Sequence, residues 1–183
     1  NNHTAYAQKR SWEGVEIETL LGWANAAKAS NWDEFLAQAK RVAASITWFY
    51  ADTKNNIGVA ALGRLPIRPE NQHIQLPAKG DGSMEWQGFY DFSNNPKEYN
   101  PQKGYVTSWN NKAYAGLRSD SSNFSYVDRV NELIEPLESK AKLSQQEIWE
   151  INKTAAWSDL NARYFVPYMV KAAQSPKATP LAK

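Results

Sequence analysis

The sequence contains no cysteine among its 183 residues. Disulfide bonds, thiolate metal sites and cysteine nucleophiles are therefore excluded. This absence does not identify the compartment, because many periplasmic proteins also lack cysteine. Long apolar runs are missing as well, and no stretch of the sequence approaches the length that a transmembrane helix needs.

An excess of one charge is also missing, since 21 lysine and arginine residues nearly balance 19 aspartate and glutamate residues. The net charge of +2, without a basic stripe, gives no indication of a nucleic-acid or acidic partner. Apolar and aromatic residues are plentiful: the chain is 42% hydrophobic and 13% aromatic, with 8 tryptophans. This composition predicts a folded domain with a real core and argues against disorder.

The first residues, NNHTAYAQ, include neither an initiating methionine nor the basic and apolar regions of a signal peptide. Residues 4–7 are predicted to form a strand, so ordered structure is expected almost from the first residue. We interpret the chain as a processed product or as a piece of a longer polypeptide.

Helix signals give way to strand signals in the first third of the chain. Residues 13–29 have helical periodicity, and a second helix is predicted after Asn31, an N-cap with Glu34 three residues later. The segments SITWFYA and IGVAAL flank the turn DTKNN, which predicts a hairpin over residues 46–62. These strands are apolar on both faces, so we expect both faces to be covered. The second helix should contribute one buried stripe: Phe35, Leu36, Ala39, Val42 and Ala43.

The middle of the chain combines a long loop with one further strand. Residues 63–102 contain five of the 9 prolines and are predicted to be mainly loop. Loops of this length in a compact domain are commonly functional or wrap a larger body. The segment GYVTSW, residues 104–109, is predicted to be a buried strand.

Helices are predicted for the C-terminal third. Pro136 limits the first of them, and Ser144 with Glu147 forms the capping box of the next. The last helix should cover residues 159–173 and bend near Pro167. Helices, buried strands and further helices together predict an α/β or α+β layered body, whose layers need not be complete within this chain.

Familiar catalytic and metal-binding patterns are missing. His3 and His73 are far apart and have no partners at ligand spacing, which favours surface or structural roles over zinc. The GDG turn at Gly80 lacks the lysine and the strand-to-helix context of a phosphate loop. No serine lies in a nucleophile-elbow pattern.

The carboxylates and loop aromatics are individually unremarkable. Asp52 and Asp81 lie in predicted turns, and Asp120 lies in a serine-rich loop where a single aspartate is a weak calcium signal. A solvated turn explains all three. The loop aromatics could stack on sugars, but packing roles are favoured for Trp86, Tyr90 and Tyr99.

Two adjacent amides, Asn110 and Asn111, follow Trp109 where the predicted strand stops. Asparagine commonly ends a strand and begins a turn. An amide NH₂ fixed at a strand end also suits an oxyanion, which needs an uncharged donor aimed in advance at the developing charge. The spacing of residues in the sequence, taken alone, favours the turn role of these asparagines over the oxyanion role.

The chain resembles the penicillin acylase (penicillin amidase) family over roughly residues 4–173, in particular its members that release phenylacetic acid. The resemblance is carried by several blocks: TAYAQKRSWEGVEIETLLGW, ITWFYADTKNNIGVAALGRLPIR, YNPQKGYVTSWNN, VDRV and WSDLNARYF. It implies an N-terminal nucleophile hydrolase with an αββα sandwich, of which residues 1–183 would be a single middle segment of the β chain.

The chemistry that this resemblance implies belongs to a whole amidohydrolase. A bacterial precursor, periplasmic or secreted, would cleave itself into an α and a β chain. The serine that opens the β chain would attack the side-chain amide of penicillins and form an acyl-enzyme, which links the family to antibiotic resistance. That serine and the α chain are absent from this sequence, so the isolated chain is expected to be inactive.

The resemblance also assigns roles to individual residues. Asn110 would be an oxyanion-hole donor, and Arg129 would lie near the active site to support it and meet the polar end of the substrate. Ile46 would line the apolar acyl pocket. A structural calcium ion would take a carboxylate from Asp120 and a backbone carbonyl at Ile74, where the family has proline, with its other ligands outside this chain.

Partners and alternatives follow from the same comparison. The expected partners are a penicillin-type amide and the remaining α and β segments of the same precursor, with no nucleic acid and no membrane. A related acylase acting on acyl-homoserine lactones or cephalosporins is the first alternative. A non-catalytic glycan-binding module is the second, although the helical content and the motif blocks disfavour it.

Overall fold

The computed structural model describes residues 5–112 and 129–179. Contacts divide these residues into two compact units. The first contains residues 5–108 and 112, and the second contains residues 109–111 and 129–179. Among the described residues, every helix is too short or too polar to span a bilayer.

The first unit begins with the two predicted helices, α1 (Glu16–Ala26) and α2 (Trp32–Ala39). The Asn31 side chain accepts the Glu34 backbone N–H at 2.9 Å, while the Glu34 carboxylate accepts the Ser30 N–H at 2.8 Å. These bonds satisfy donors at the start of α2 that have no intrahelical partner. The predicted N-terminus of α2 is therefore confirmed.

A three-stranded antiparallel sheet follows, in the order β1 (Thr47–Ala51), β2 (Ile57–Ala61) and β3 (Lys97–Tyr99). The predicted hairpin is confirmed, with Phe49 opposite Val59. β3 was not predicted, because only three residues of the proline-rich segment pair with β2. Its pairing depends on a distant strand and leaves little local pattern.

The core of the first unit lies between α2 and one face of the sheet. Its buried residues are Phe35, Ala39, Val42, Tyr50, Ala60 and Leu62. Trp32 stacks on Phe35 and Tyr99 with ring centroids 5.3 and 5.1 Å away. Gly58 makes this packing possible, since a Cβ there would lie 2.6 Å from the Trp32 ring. The predicted stripe is confirmed as buried, with Leu36 at the edge of the core. The predicted length of the helix is wrong, because α2 ends at Ala39 and the buried Val42 and Ala43 follow it.

The expectation that both faces of the hairpin are covered is wrong within the described chain. Phe49 points away from the packed face and is 50% exposed. The apolar pattern of β1 correctly indicates a strand suited to burial on both sides. The described residues supply a covering layer for one side only.

The proline-rich segment, residues 63–102, is held by a ribbon between two of its own parts and by hydrogen bonds from Asn95 to Ala61 and Gly63. Residues 65–67 and 87–90 form a short antiparallel ribbon, in which the Ile67 N–H donates to the Gly88 carbonyl at 2.9 Å. The buried Asn95 side chain donates to the carbonyls of Ala61 and Gly63 at 3.0 and 2.9 Å. A short 3-10 helix, Phe92–Asn94, lies between these anchors.

The second unit contains three helices: α3 (Asn131–Leu137), α4 (Gln145–Trp157) and α5 (Leu160–Ala173). α3 ends one residue after Pro136, as predicted. Ser144 and Glu147 form the predicted capping box of α4. Asp159 caps α5, whose Arg163 pairs with Glu132 and Glu135 of α3.

Two strand predictions are wrong. Residues 5–7 and residues 104–109 belong to no helix or strand among the described residues. Both segments have suitable side chains, but a strand exists only where a second strand accepts and donates its backbone hydrogen bonds. No described segment pairs with either of them.

Candidate functional site

The segment from Trp109 to Asn111 forms a sharp turn in the second unit. Asn110 has a positive φ of 57°, in the left-handed region that asparagine tolerates better than most residues with a side chain. The side-chain oxygen of Asn111 accepts the backbone N–H of Trp109 at 2.9 Å. This hydrogen bond closes a small ring around Asn110 and holds the turn.

Arg129 lies over the indole ring of Trp109. The guanidinium carbon is 5.0 Å from the ring centroid, which is a cation–π distance. Arg129 is exposed and Trp109 is half-buried, so the contact restrains the ring without removing the charge from water. The structure therefore brings Arg129 to the turn that carries Asn110.

The Asn110 side chain is exposed, and no hydrogen bond joins its amide to another described residue. An amide NH₂ donates at any ordinary pH because it does not titrate. Asn110 thus presents an uncharged donor on a turn whose backbone is held by its neighbour. Such a group can bind an anion or a developing oxyanion.

Ile46 lies in the first unit, directly before β1. Its carbonyl accepts the Leu62 N–H at 2.7 Å, which extends the hairpin ladder by one bond. Its side chain is 38% exposed. The residue therefore has a fixed backbone and an apolar side chain that is open for contact.

The described residues do not form a metal site. Ile74 is half-buried in a turn where the Leu76 N–H donates to the His73 carbonyl at 3.1 Å. The other predicted ligand, Asp120, lies outside the described residues. No group of three or more histidine, cysteine, aspartate or glutamate side chains in the described ranges could hold an ion, so calcium remains a prediction.

Asp52 is a structural residue of the hairpin turn. Its carboxylate accepts hydrogen bonds from the Asn56 side chain and backbone, the Tyr50 hydroxyl and the Lys54 N–H. These donors, the Asn56 side chain foremost, lower the pKa of Asp52 to about 2. Burial raises the pKa of Tyr50 to about 12, and its bond to Asp52 adds to the shift. Asp52 is thus a turn residue, as the sequence predicts, and its carboxylate is held by several hydrogen bonds within that turn.

Asp81 has the same kind of role in a smaller turn. Its side chain accepts the Ser83 hydroxyl at 2.6 Å and the Ser83 N–H at 3.0 Å. The hydroxyl bond, followed by the backbone bond, lowers the pKa of Asp81. The turn interpretation of the GDG segment is therefore supported.

Most of the loop aromatics have packing partners. Trp86 lies against Lys9 and Arg68, whose cations are 5.3 and 4.9 Å from its ring, while Tyr99 stacks on Trp32. Tyr90 is the more open one and is 52% exposed. Packing is thus favoured over sugar stacking for Trp86 and Tyr99.

Sequence reasoning assigned no separate role to Trp109 or Asn111. The structure gives Trp109 the Arg129 contact and gives Asn111 the bond around residue 110. The sequence signal was the Asn-Asn pair itself. One asparagine tolerates a left-handed backbone, and the next can bond to the main chain nearby.

Comparison with known sequences identifies clear relatives. The profile of a family described as penicillin amidase matches residues 2–183. Penicillin G acylase of Escherichia coli is 39% identical over 172 residues, covering 92% of this chain. An acyl-homoserine lactone acylase, QuiP, of Pseudomonas syringae is 27% identical over 123 residues, covering 64% of this chain.

A solved structure has the same fold. Thermostable penicillin G acylase from Alcaligenes faecalis superposes with a TM-score of 0.81 and is 49% identical over 95% of this chain. Helices with an antiparallel sheet confirm the α+β class that the sequence predicts. This chain spans 32% of that structure and 20% of the Escherichia coli relative.

Proposed function

This chain belongs to the penicillin amidase family, and from that premise we propose that it is a segment of an amidohydrolase of the penicillin G acylase type. The parent protein cleaves the amide between a phenylacetyl group and a penicillin nucleus. A serine outside this chain is the nucleophile, its own α-amino group is the base, and Asn110 is a donor to the oxyanion.

This proposal depends mainly on the surroundings of the Asn110 side-chain amide. It is exposed, has no hydrogen-bond partner among the described residues, and stands on a turn that Asn111 closes. When serine attacks an amide, the carbonyl oxygen becomes negative. A donor that is already aimed at that position stabilises the transition state more than the ground state.

Arg129 and Ile46 have supporting roles in the proposal. Arg129 restrains Trp109 from above, and its positive charge near the turn favours a substrate carboxylate or a developing anion. Ile46 contributes an apolar wall for the phenyl ring, since its side chain is open and its carbonyl is bonded to the Leu62 N–H.

The remaining parts of the proposed enzyme lie outside this chain, which spans 32% of the solved relative. They include the nucleophile serine, the α chain and most ligands of a structural calcium ion. The parent is proposed to be a bacterial precursor that processes itself and acts in the periplasm or outside the cell. Residues 1–183 alone do not turn over substrate.

A second candidate function keeps the mechanism and changes the acyl group. It is favoured by the resemblance to acyl-homoserine lactone acylases, one of which is 28% identical over 136 residues. Comparing kcat/KM for a phenylacetyl amide and for a long-chain acyl-homoserine lactone separates the two. Preference for the long chain would replace the phenylacetyl specificity and leave the role of Asn110 intact.

The role of Asn110 is tested by Asn110→Ala in the complete enzyme, measured on protein whose self-processing has been verified. Loss of one oxyanion donor should lower kcat by roughly 10²–10³-fold, about 3–4 kcal/mol, with a smaller change in KM. Unchanged kcat in the processed variant would refute the role.

A matched control is Asn55→Ala. Asn55 is also exposed and also has a positive φ, 66°, but it lies in the hairpin turn. Replacing Asn55 by alanine therefore places alanine in the same kind of left-handed backbone conformation, but removes no proposed catalytic group. We expect its kcat to equal that of the parent enzyme.

A further inference from the structure

We infer that Asn111 is a positioning residue, which acts by holding residue 110 in the left-handed conformation that aims the Asn110 amide. This inference rests on the proposed function for its catalytic consequence. Its structural part, control of the backbone at residue 110 by the Asn111 side chain, stands independently.

The backbone at Asn110 needs a restraint. A φ of 57° lies in a sparsely populated region for a residue with a side chain, and such conformations persist where the surroundings determine them. An amide carried on an unrestrained turn would sample many directions. A donor that must meet an oxyanion requires one direction.

The hydrogen bond from Trp109 to Asn111 supplies this restraint. The donor is the backbone N–H before residue 110, and the acceptor is the side-chain oxygen of the residue after it, 2.9 Å away. A change in φ or ψ at residue 110 separates these two groups. Because a backbone N–H can only donate, the Asn111 oxygen, and not its NH₂, must face Trp109.

Arg129 contacts the side chain of Trp109, the residue whose backbone N–H is bonded to Asn111. Its guanidinium lies over the Trp109 indole at 5.0 Å, so Trp109 is restrained by its side chain while Asn111 holds its N–H. The two contacts act on one residue from different directions. Residue 110 is therefore connected to a neighbour that is fixed twice.

A comparison within the chain shows what is unusual about this turn. Asn100 also has a positive φ, 47°, but its own side chain holds it: the oxygen accepts the Ile57 N–H at 2.9 Å and the NH₂ donates to Asn56 at 2.8 Å. At residue 110 the holding bond belongs to the next residue. The Asn110 amide is thereby left available for a ligand.

The test uses three variants of the complete, processed enzyme: Asn111→Leu, which removes the acceptor at similar size, Asn111→Asp, which keeps it, and Asn111→Ala, a smaller variant in case leucine does not fold. We expect kcat to fall about 10- to 100-fold in the leucine and alanine variants, with KM nearly unchanged. The aspartate variant keeps the acceptor but adds a negative charge beside the oxyanion, so its readout is the backbone, and the φ of residue 110 should stay in the left-handed region.

A second readout separates positioning from general destabilisation. If Asn111 acts through Asn110, the double variant Asn110→Ala/Asn111→Leu should be no slower than Asn110→Ala alone. Additive losses would overturn the inference, as would a leucine variant with full kcat.

A crystal structure of the Asn111→Leu or Asn111→Ala enzyme decides the structural part. We expect residue 110 to leave the left-handed region or to adopt more than one conformation. An unchanged φ there would overturn the inference even if kcat fell. Full activity of Asn110→Ala would refute the oxyanion role alone, because the φ of the Asn111 variants would still report whether Asn111 holds the turn.

Discussion

The two units differ in how much of their structure comes from packing. In the first unit, α2 and the hairpin enclose a continuous cluster around Phe35, Val42 and Tyr50. In the described part of the second unit, only Val130 and Ala155 are buried apolar residues. Yet two of its helices, α4 and α5, have side-chain caps at Ser144 and Asp159, whereas Val130 gives α3 no side-chain cap.

The difference shows that local signals and burial are separate sources of helix formation. α5 is capped and long, but Tyr168 on it is 75% exposed. Local capping defines where such a helix begins, while most helix stability in proteins comes from packing an apolar face. We therefore expect the first unit to be the more stable one in the 183-residue chain.

The largest effect should follow removal of the central ring of the first unit. Phe35→Ala deletes a buried side chain in contact with the rings of Trp32, Trp48 and Tyr50. The free energy of unfolding should fall by roughly 3–5 kcal/mol through lost burial and a cavity. Urea unfolding of the 183-residue chain, followed by circular dichroism, measures the change.

Phe165→Ala is the matched change in the second unit. Phe165 lies on α5 and is 57% exposed, so the same deletion should alter the free energy of unfolding by less than about 0.5 kcal/mol. Equal losses in the free energy of unfolding for the two variants would contradict the conclusion that the first unit is packed and the second is open.

Removing the caps should have a smaller effect, and a similar one in both units. Asn31→Ala at α2 and Ser144→Ala at α4 each remove a side-chain acceptor for an N–H in the first helical turn. Each should cost about 1 kcal/mol. A loss confined to Asn31, measured by the same urea titration, would mean that capping contributes only where the helix is also packed.

The last prediction concerns the dependence of stability on pH. Hydrogen bonds lower the pKa of Asp52 to about 2 from 3.8. A bond from Lys140, followed by bonds at Ser144, lowers the pKa of Glu147 to about 2 from 4.5. Since both folded-state values lie below the unfolded ones, these carboxylates stabilise the fold above pH 4–5, and the contribution disappears as the pH falls towards 2.

Urea unfolding at several pH values between 5 and 2 checks this prediction, with Asp52→Asn and Glu147→Gln as controls. Each variant should be less stable than the parent at pH 5 and should approach it near pH 2. Parent and variants that keep the same difference at both pH values would contradict the cause given for the pKa shifts.

Local features of the fold could be predicted from the sequence because their causes are local. The cap at Asn31, the capping box of Ser144 and Glu147, and the hairpin turn at Asp52 each depend on residues within a few positions. β3 was missed because it depends on pairing with a strand that is distant in the sequence: Ala60 pairs with Lys97 and Val59 with Glu98.

The candidate site was predicted in part. The chemistry of Asn110 suggested a donor, and the family resemblance supplied its role. The strand that should have delivered it, residues 104–109, is not formed among the described residues, because strands need partners. The contacts of Trp109 with Arg129 and Asn111 required coordinates, since a ring contact has no spacing rule.

The anchoring of the proline-rich segment has a consequence for variation. The ribbon at Ile67 and Gly88 joins the two ends of residues 68–86 to each other, and the Asn95 amide bonds the following part of the chain to Ala61 of β2 and to Gly63. A change in the length of residues 68–86 would therefore leave the pairing of β1 with β2 unchanged. Homologues can lengthen or shorten this loop without displacing the hairpin. A Cβ at Gly80 would meet nothing within 4 Å, which makes that tip the natural place for an insertion or a fused tag.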